Sequence, residues 1–289
     1  MRLHRSLPPM AVVIVFVATL FGQQSLPKST QGRLAAFTRV EVLTPGDFII
    51  LLSQAKSGDR EAQYLLALVY RRGLLVTRDL AVAKSWMLKS AEQGYGPAQG
   101  GMAEMYLPNL CEDVPNPDYR EAEGWLRLAA AQGDADAQFW LGTGYEQSWF
   151  GAADYLEALK WLRKAAQQGH PDAQFCLGQM YEDGEGVPAN DVIAAHWYRE
   201  AADHSPSYLG GVWEAETQLV YMYRDRRLPR DDVQAYMWFS IVGSSVEPPD
   251  DGDIKKVARH MTKEQIAEAQ SLAEDWVKRH TPNRELSRK

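Results

Sequence analysis

The chain has 289 residues, of which 45% are hydrophobic and 24% charged, and its formal net charge is −7. That composition fits a folded globular protein rather than a disordered one, and the acidic balance argues against a nucleic-acid surface, which carries a basic excess. Two cysteines, Cys111 and Cys176, are too few for a disulfide framework.

Residues 1–22 read as a signal peptide or an N-terminal membrane anchor. Arg2 and Arg5 precede an apolar run from Ala11 to Phe21, and a polar exit follows. A bilayer span needs about 20 apolar residues, so this run suits a secretory signal better than a full span. A small-x-small cleavage site is poorly formed, and an uncleaved tether through residues 11–21 is the alternative. No cysteine follows the run, so a lipid-modified N-terminus is not indicated. Either way the body is expected outside the cytoplasm: periplasmic, secreted, or held at the membrane. Residues 23–43 read as a tether. Residues 44–57 read as an N-terminal capping helix, because Thr44 followed by Pro45 is a good helix start.

Residues 58–243 repeat. "AAAQGDADAQFWLGTGY", residues 129–145, returns as "AAQQGHPDAQFCLGQMY", residues 165–181. An Ala column runs through Ala62, Ala98, Ala137, Ala173 and Ala215, and eight residues after each stands Tyr70, Tyr106, Tyr145, Tyr181 or Tyr223. A Trp column follows at Trp86, Trp125, Trp161, Trp197 and Trp238. Within a unit, Ala173, Leu177 and Tyr181 stand at i, i+4 and i+8, which is one helix face. Gly73 and Gly184, three residues past their Tyr, suit a left-handed helix stop. Seven residues before each Trp come Asp79, Asp118, Asp154, Asn190 and Asp231, residues that cap a second helix. Ala83, Ala122, Ala158, Ala194 and Ala235, three before each Trp, let two helices approach closely. The Trp is expected to fill the space between helices, where burying one ring contributes roughly 4–6 kcal/mol. One hairpin cannot bury its own apolar face, but stacked copies can.

These residues carry a resemblance. "DAQFCLGQMYEDGEGVPANDVIAAHWYREAA", residues 172–202, is similar to the Sel-one-like repeat (SLR) family, relatives of the tetratricopeptide repeats. The resemblance implies an all-α fold: a right-handed α/α superhelix of about five helical hairpins with capping helices at both ends. It also implies an adaptor that organises other proteins without catalysing a reaction. The pattern departs in "LPNLCEDVPNPDYR" of repeat two, in "SWFGAA" of repeat three, and in the inserted "SPSYLGGVW" before repeat five. Residues 244–289 read as C-terminal capping helices. A short one runs over about Asp251 to His260. A longer one starts at Thr262 with Gln265 three on, a capping box, and buries Ile266, Ala269, Leu272, Ala273 and Trp276.

Residues that could carry chemistry are few. His196, Glu200, Asp203 and His204 share one helix, a spacing that metal sites use, but a solvated polar face explains them better. His170 is expected to be exposed in a turn. Ser53 and Lys56 match a Ser-x-x-Lys pattern by chance, on the N-terminal capping helix. No Gly-rich phosphate loop occurs, and neither a cofactor nor a metal is expected. What remains is surface. Solenoids of this kind present a concave face lined by the first helix of each pair. Two residues past the Ala, Tyr64, Phe139 and Phe175 recur and read as core. The next column varies through Leu65, Gly101, Trp140, Cys176 and Gln218, and variable columns are where partners bind. Trp149 and Phe150 replace a turn that holds Gly and Glu elsewhere. The expected partner-binding residues are therefore Trp140, Trp149, Phe150, Leu65 and Gln218, with a protein or peptide on the concave face. The alternatives are a hydrolase or β-lactam-binding protein of the cysteine-rich SLR type, whose Cys pairs this chain lacks, and a structural subunit of an envelope assembly.

Overall fold

The computed structural model describes residues 28–107, 117–203, 211–225, 227–243 and 251–284. Residues 1–22, Cys111 and His204 lie outside these, and with them the expected signal or anchor and part of the His196 cluster. Among the described residues there are fourteen helices and no strand. They are α1 (Lys28–Glu41), α2 (Pro45–Lys56), α3 (Arg60–Arg72), α4 (Leu80–Glu92), α5 (Gly96–Glu104), α6 (Tyr119–Ala131), α7 (Ala135–Glu146) and α8 (Tyr155–Gln167) in one compact unit. A second unit holds α9 (Pro171–Asp183), α10 (Asp191–Asp203), α11 (Gly211–Arg224), α12 (Asp232–Gly243), α13 (Asp251–Ala258) and α14 (Lys263–Arg284). The pairs α3–α4, α5–α6, α7–α8, α9–α10 and α11–α12 are the five repeats, and within each unit successive repeat helices pack on one another.

Local chemistry explains the helix ends. The carboxylates of Asp79, Asp118 and Asp154 accept first-turn amide protons of α4, α6 and α8. Asn190 and Asp231 do the same for α10 and α12. Thr44 and Asp47 form a reciprocal capping box at α2, and Thr262 and Gln265 form another at α14. Gly73 and Gly184 stop α3 and α9 in the left-handed region, at φ 72° and 77°. In repeat three that position is Ser148, which takes φ 64° without the freedom of glycine. His170 is not an exposed turn residue. It is buried, and its Nδ1 accepts the amide proton of Ala173 at 3.3 Å. It caps α9 where Asp59 and Asp134 cap α3 and α7.

The Trp column sits shallower than its spacing implies. Trp161 and Trp238 are buried, while Trp86, Trp125 and Trp197 are only half-buried. Lys89 and Lys164 lie over the Trp86 and Trp161 rings at 4.3 and 4.2 Å, so the outer ring face is used by a cation. The deep core is the next residue along: Met87, Leu126, Leu162, Tyr198 and Phe239. Met87, Leu162 and Tyr198 dock where a glycine leaves room, at Gly101, Gly142 and Gly178. A methyl at Gly142 would lie 2.5 Å from Leu162, and one at Gly178 would lie 2.4 Å from the Tyr198 ring.

A glutamine one residue past the Ala column ties neighbouring hairpins together. Gln63, Gln99 and Gln138 are buried and donate to the carbonyls of Ala55, Ala91 and Ala130. Each also accepts from a glutamine of the following connection, Gln93, Gln132 or Gln168, at 2.7–2.8 Å. The side-chain amide thereby gives a second hydrogen bond to a C-terminal carbonyl that already accepts the amide proton of Gly58, Gly94 or Gly133.

Two further sequence expectations differ from the structure. Residues 28–41, read as part of a tether, form α1, which packs against α3, α5 and α7. Leu272, expected in the buried stripe of α14, is exposed, while Ala269, Ala273 and Trp276 are buried. Trp276 packs on Trp238 and donates to Asp203, so the cap is anchored by one ring.

Candidate functional site

The first helices α3, α5 and α7 share a face, and α1 lies on it. The α1 side chains at i, i+3 and i+7 are Arg33, Ala36 and Val40. Ala36 and Val40 are buried, and they join a core cluster that contains Leu65. Leu65 is therefore not an exposed partner contact, because α1 and the α3 core already share it.

Arg33 enters a slot of three carboxylates. Its Nη1 donates to Glu104 at 3.1 Å and lies 3.6 Å from Asp136, while its Nη2 donates to Asp134. Glu104 is shared with Arg71 at 3.0 Å. Asp134 has a second task, since its other oxygen accepts the Ala137 amide proton and caps α7. The Arg33 side chain is only 11% exposed. Burial works against its charge, but Asp134, Asp136 and Glu104 outweigh that, and the guanidinium pKa is raised well above its ordinary value. The room for it comes from Gly100, where a methyl would stand 2.6 Å from Nη2. Gly100 occupies the column that holds Tyr64, Phe139 and Phe175 in other repeats. A missing aromatic in repeat two was the sequence signal for this slot. Two further ion pairs flank it, Arg39 with Glu61 and Arg72 with Glu41.

The second cluster is aromatic. Trp140 and Trp149 stack at 6.1 Å with 21° between their planes, and Tyr119 also stacks with Trp149, at 5.7 Å. Trp140 also leans on Phe139. Phe150 fills the space over Gly144, where a methyl would be 2.2 Å from its ring, and meets Tyr145 edge-on. The Tyr145 hydroxyl donates to Glu123, and burial together with that hydrogen bond pushes its pKa up to about 12. Trp140, Trp149 and Phe150 are all half-buried, so each packs inward with part of its ring left over. Gln218 is also half-buried, in the second unit. The expected contact residues thus fall in separate places: the aromatic trio together on repeat three, Leu65 inside a core, and Gln218 on α11.

Ser53 and Lys56 are both exposed on α2. His196 is exposed beside Trp197 on α10, and among the described residues no group of His, Cys, Asp or Glu is arranged to hold a metal. No described helix is long and apolar enough to cross a membrane.

The Sel1 repeat family model matches residues 60–95, 96–134, 135–170, 171–206 and 213–241. The chain belongs to the Sel1 repeat family. Sel1 repeat proteins are typically protein-interaction scaffolds. A protective antigen of uropathogenic Escherichia coli that displays an SLR fold is 30% identical, with a TM-score of 0.64 over 81% of this chain and 49% of that one. A Sel1 repeat protein from Oxalobacter formigenes shares the fold at 23% identity, with a TM-score of 0.63 over 84% of this chain and 98% of that one. An uncharacterized protein of Neisseria meningitidis serogroup B is 36% identical over 108 residues, which are 36% of this chain and 21% of that protein. The chain thus spans about a fifth of the curated relative it matches and about half of the E. coli structure.

Proposed function

We propose that this Sel1 repeat protein is a non-catalytic scaffold that holds a protein or peptide segment against the first helices of its repeats. The observation that carries this reading is α1, a helical segment lying across α3, α5 and α7 with a buried arginine. A face that takes one helix from its own chain has the dimensions and chemistry to take another. The half-buried pair Trp140 and Trp149, with Phe150, supplies a second contact region, because stacked aromatics with open edges make good interface anchors. Gln218, in the corresponding column of α11, belongs to the second unit and would be a separate contact there. The basic start and apolar run of residues 11–21 support a place outside the cytoplasm, in the periplasm or at the membrane.

The test is a pull-down from envelope extracts with the full chain, repeated with Trp140→Ala and Trp149→Ala. A recovered partner that either variant loses, with the melting temperature unchanged, supports the scaffold and its contact region. Stoichiometric retention of one subunit through purification would indicate a structural component instead. Turnover of nitrocefin by the purified chain would indicate the hydrolase.

A further inference from the structure

The carboxylate slot has a feature that a purely structural ion pair does not need. Glu104, Asp134 and Asp136 come from the first helices of two repeats and the cap of one, and the floor between them is a glycine where repeats one, three and four carry an aromatic ring. Their occupant comes from outside the repeats. It is also an imperfect occupant, because the Nε of Arg33 is buried and has no hydrogen-bond partner. A buried donor left unsatisfied weakens the complex it sits in. The two η nitrogens meet different carboxylates, a geometry that suits the planar fork of arginine better than the point charge of lysine. Apolar contact is supplied three and seven residues on, by Ala36 and Val40.

We propose that the α3–α5–α7 face is a recognition groove for a helix that offers an arginine followed by apolar residues three and seven positions later, and that α1 is a built-in competitor for it. This deepens the scaffold reading and rests on it. With α1 seated, the groove is closed. A partner helix whose arginine also satisfies its Nε displaces α1 and binds in its place. The net acidity of the slot selects against acidic segments, and the absent side chain at Gly100 admits a guanidinium where repeats one, three and four present a ring.

The experiment uses the full chain in mild detergent and a fluorescent peptide with the sequence of residues 28–41. Its readout is fluorescence anisotropy, with circular dichroism and tryptophan fluorescence melts as the folding control. Arg33→Glu places a carboxylate among carboxylates and should release α1. This variant is expected to bind the peptide at least tenfold more tightly than the unaltered chain. Peptides with alanine or lysine at the arginine position should lose at least tenfold of that affinity, and Gly100→Ala, which fills the slot in either case, should not bind. The proposal is overturned if Arg33→Glu keeps folded repeats and binds no peptide. It is also overturned if the arginine, lysine and alanine peptides bind alike, or if Arg33→Glu unfolds the repeats, which would make α1 a structural part of the unit. The pull-down separates this from the scaffold reading. Partners captured equally by the unaltered chain and by Arg33→Glu leave the scaffold standing without the competitor. Peptide uptake with no envelope partner leaves the groove standing without the scaffold.

Discussion

The same repeat presents its first-helix face in two ways. In repeats one and three the aromatic column is closed off, with Tyr64 and Phe139 each 2% exposed, and α1 lies along those helices. In repeat four the matching Phe175 is half-buried, and its neighbour Cys176 is half-buried too. Both hairpins dock a large side chain of the second helix on a glycine of the first, Leu162 on Gly142 and Tyr198 on Gly178. The two buried rings stand on helices that α1 contacts, and Tyr64 shares a core cluster with Ala36 and Val40 of α1.

The largest effect that tests this contrast is truncation of the aromatic column. Phe139→Ala should destabilise its unit by about 3–5 kcal/mol, as a fully buried ring leaves a cavity. Phe175→Ala should lower stability by about 1–2 kcal/mol, because half the ring already meets solvent. Urea denaturation of both variants checks it, and equal losses would mean that the two faces are equally covered.

A sharper probe adds a single methyl. Gly100→Ala should lower stability by about 1–3 kcal/mol by overpacking, and hydrogen exchange should quicken selectively in α1. The control is Gly124→Ala in α6, where nothing lies within 4 Å of the added carbon. There the change should stabilise by about 1 kcal/mol through helix propensity alone. Loss of α1 protection in both variants would disconnect α1 from the slot.

Repeat three also differs from repeat four at its turn, where Ser148 holds the left-handed position of Gly184. Ser148→Gly should stabilise by about 0.5–1 kcal/mol, the relief of left-handed strain less the added chain entropy. A thermal melt shows whether the sign is right. The smallest expected effect is at the rim of the slot. Arg39 and Glu61 pair with their side chains 58% and 49% exposed, so Arg39→Ala should change stability by no more than about 1 kcal/mol. A loss as large as that of Phe139→Ala would mean that α1 is held by its rim rather than by Arg33.

Much of the architecture was legible before any coordinates. The Ala, Tyr and Trp columns mark every hairpin, because each copy must make the same contacts. Asp79, Asp118, Asp154, Asn190 and Asp231 mark the second helices, because a cap depends only on residues two or three positions away. Local chemistry of that kind is written in adjacent residues and survives reading one line at a time. The depth order of Trp and its successor was not legible, since both residue types are apolar and only the packing against Gly142 or Gly178 decides which goes inside.

The slot belongs to tertiary structure altogether. Arg33 meets Glu104 and Asp134 across 71 and 101 residues of chain, and no local pattern links such distant partners. Residues 28–41 are polar enough on average to pass for a tether, and they become an ordered helix because α3, α5 and α7 offer them a charged and apolar surface together. His170 follows the same logic: its sequence neighbours suggest an exposed turn, but its place at the start of α9 gives its ring an amide to accept and a core to close. The sequence by itself determined the repeat, its period and its helix ends, because those rest on contacts within a turn or two of helix. Which face is free and which is filled was decided only when distant segments came together.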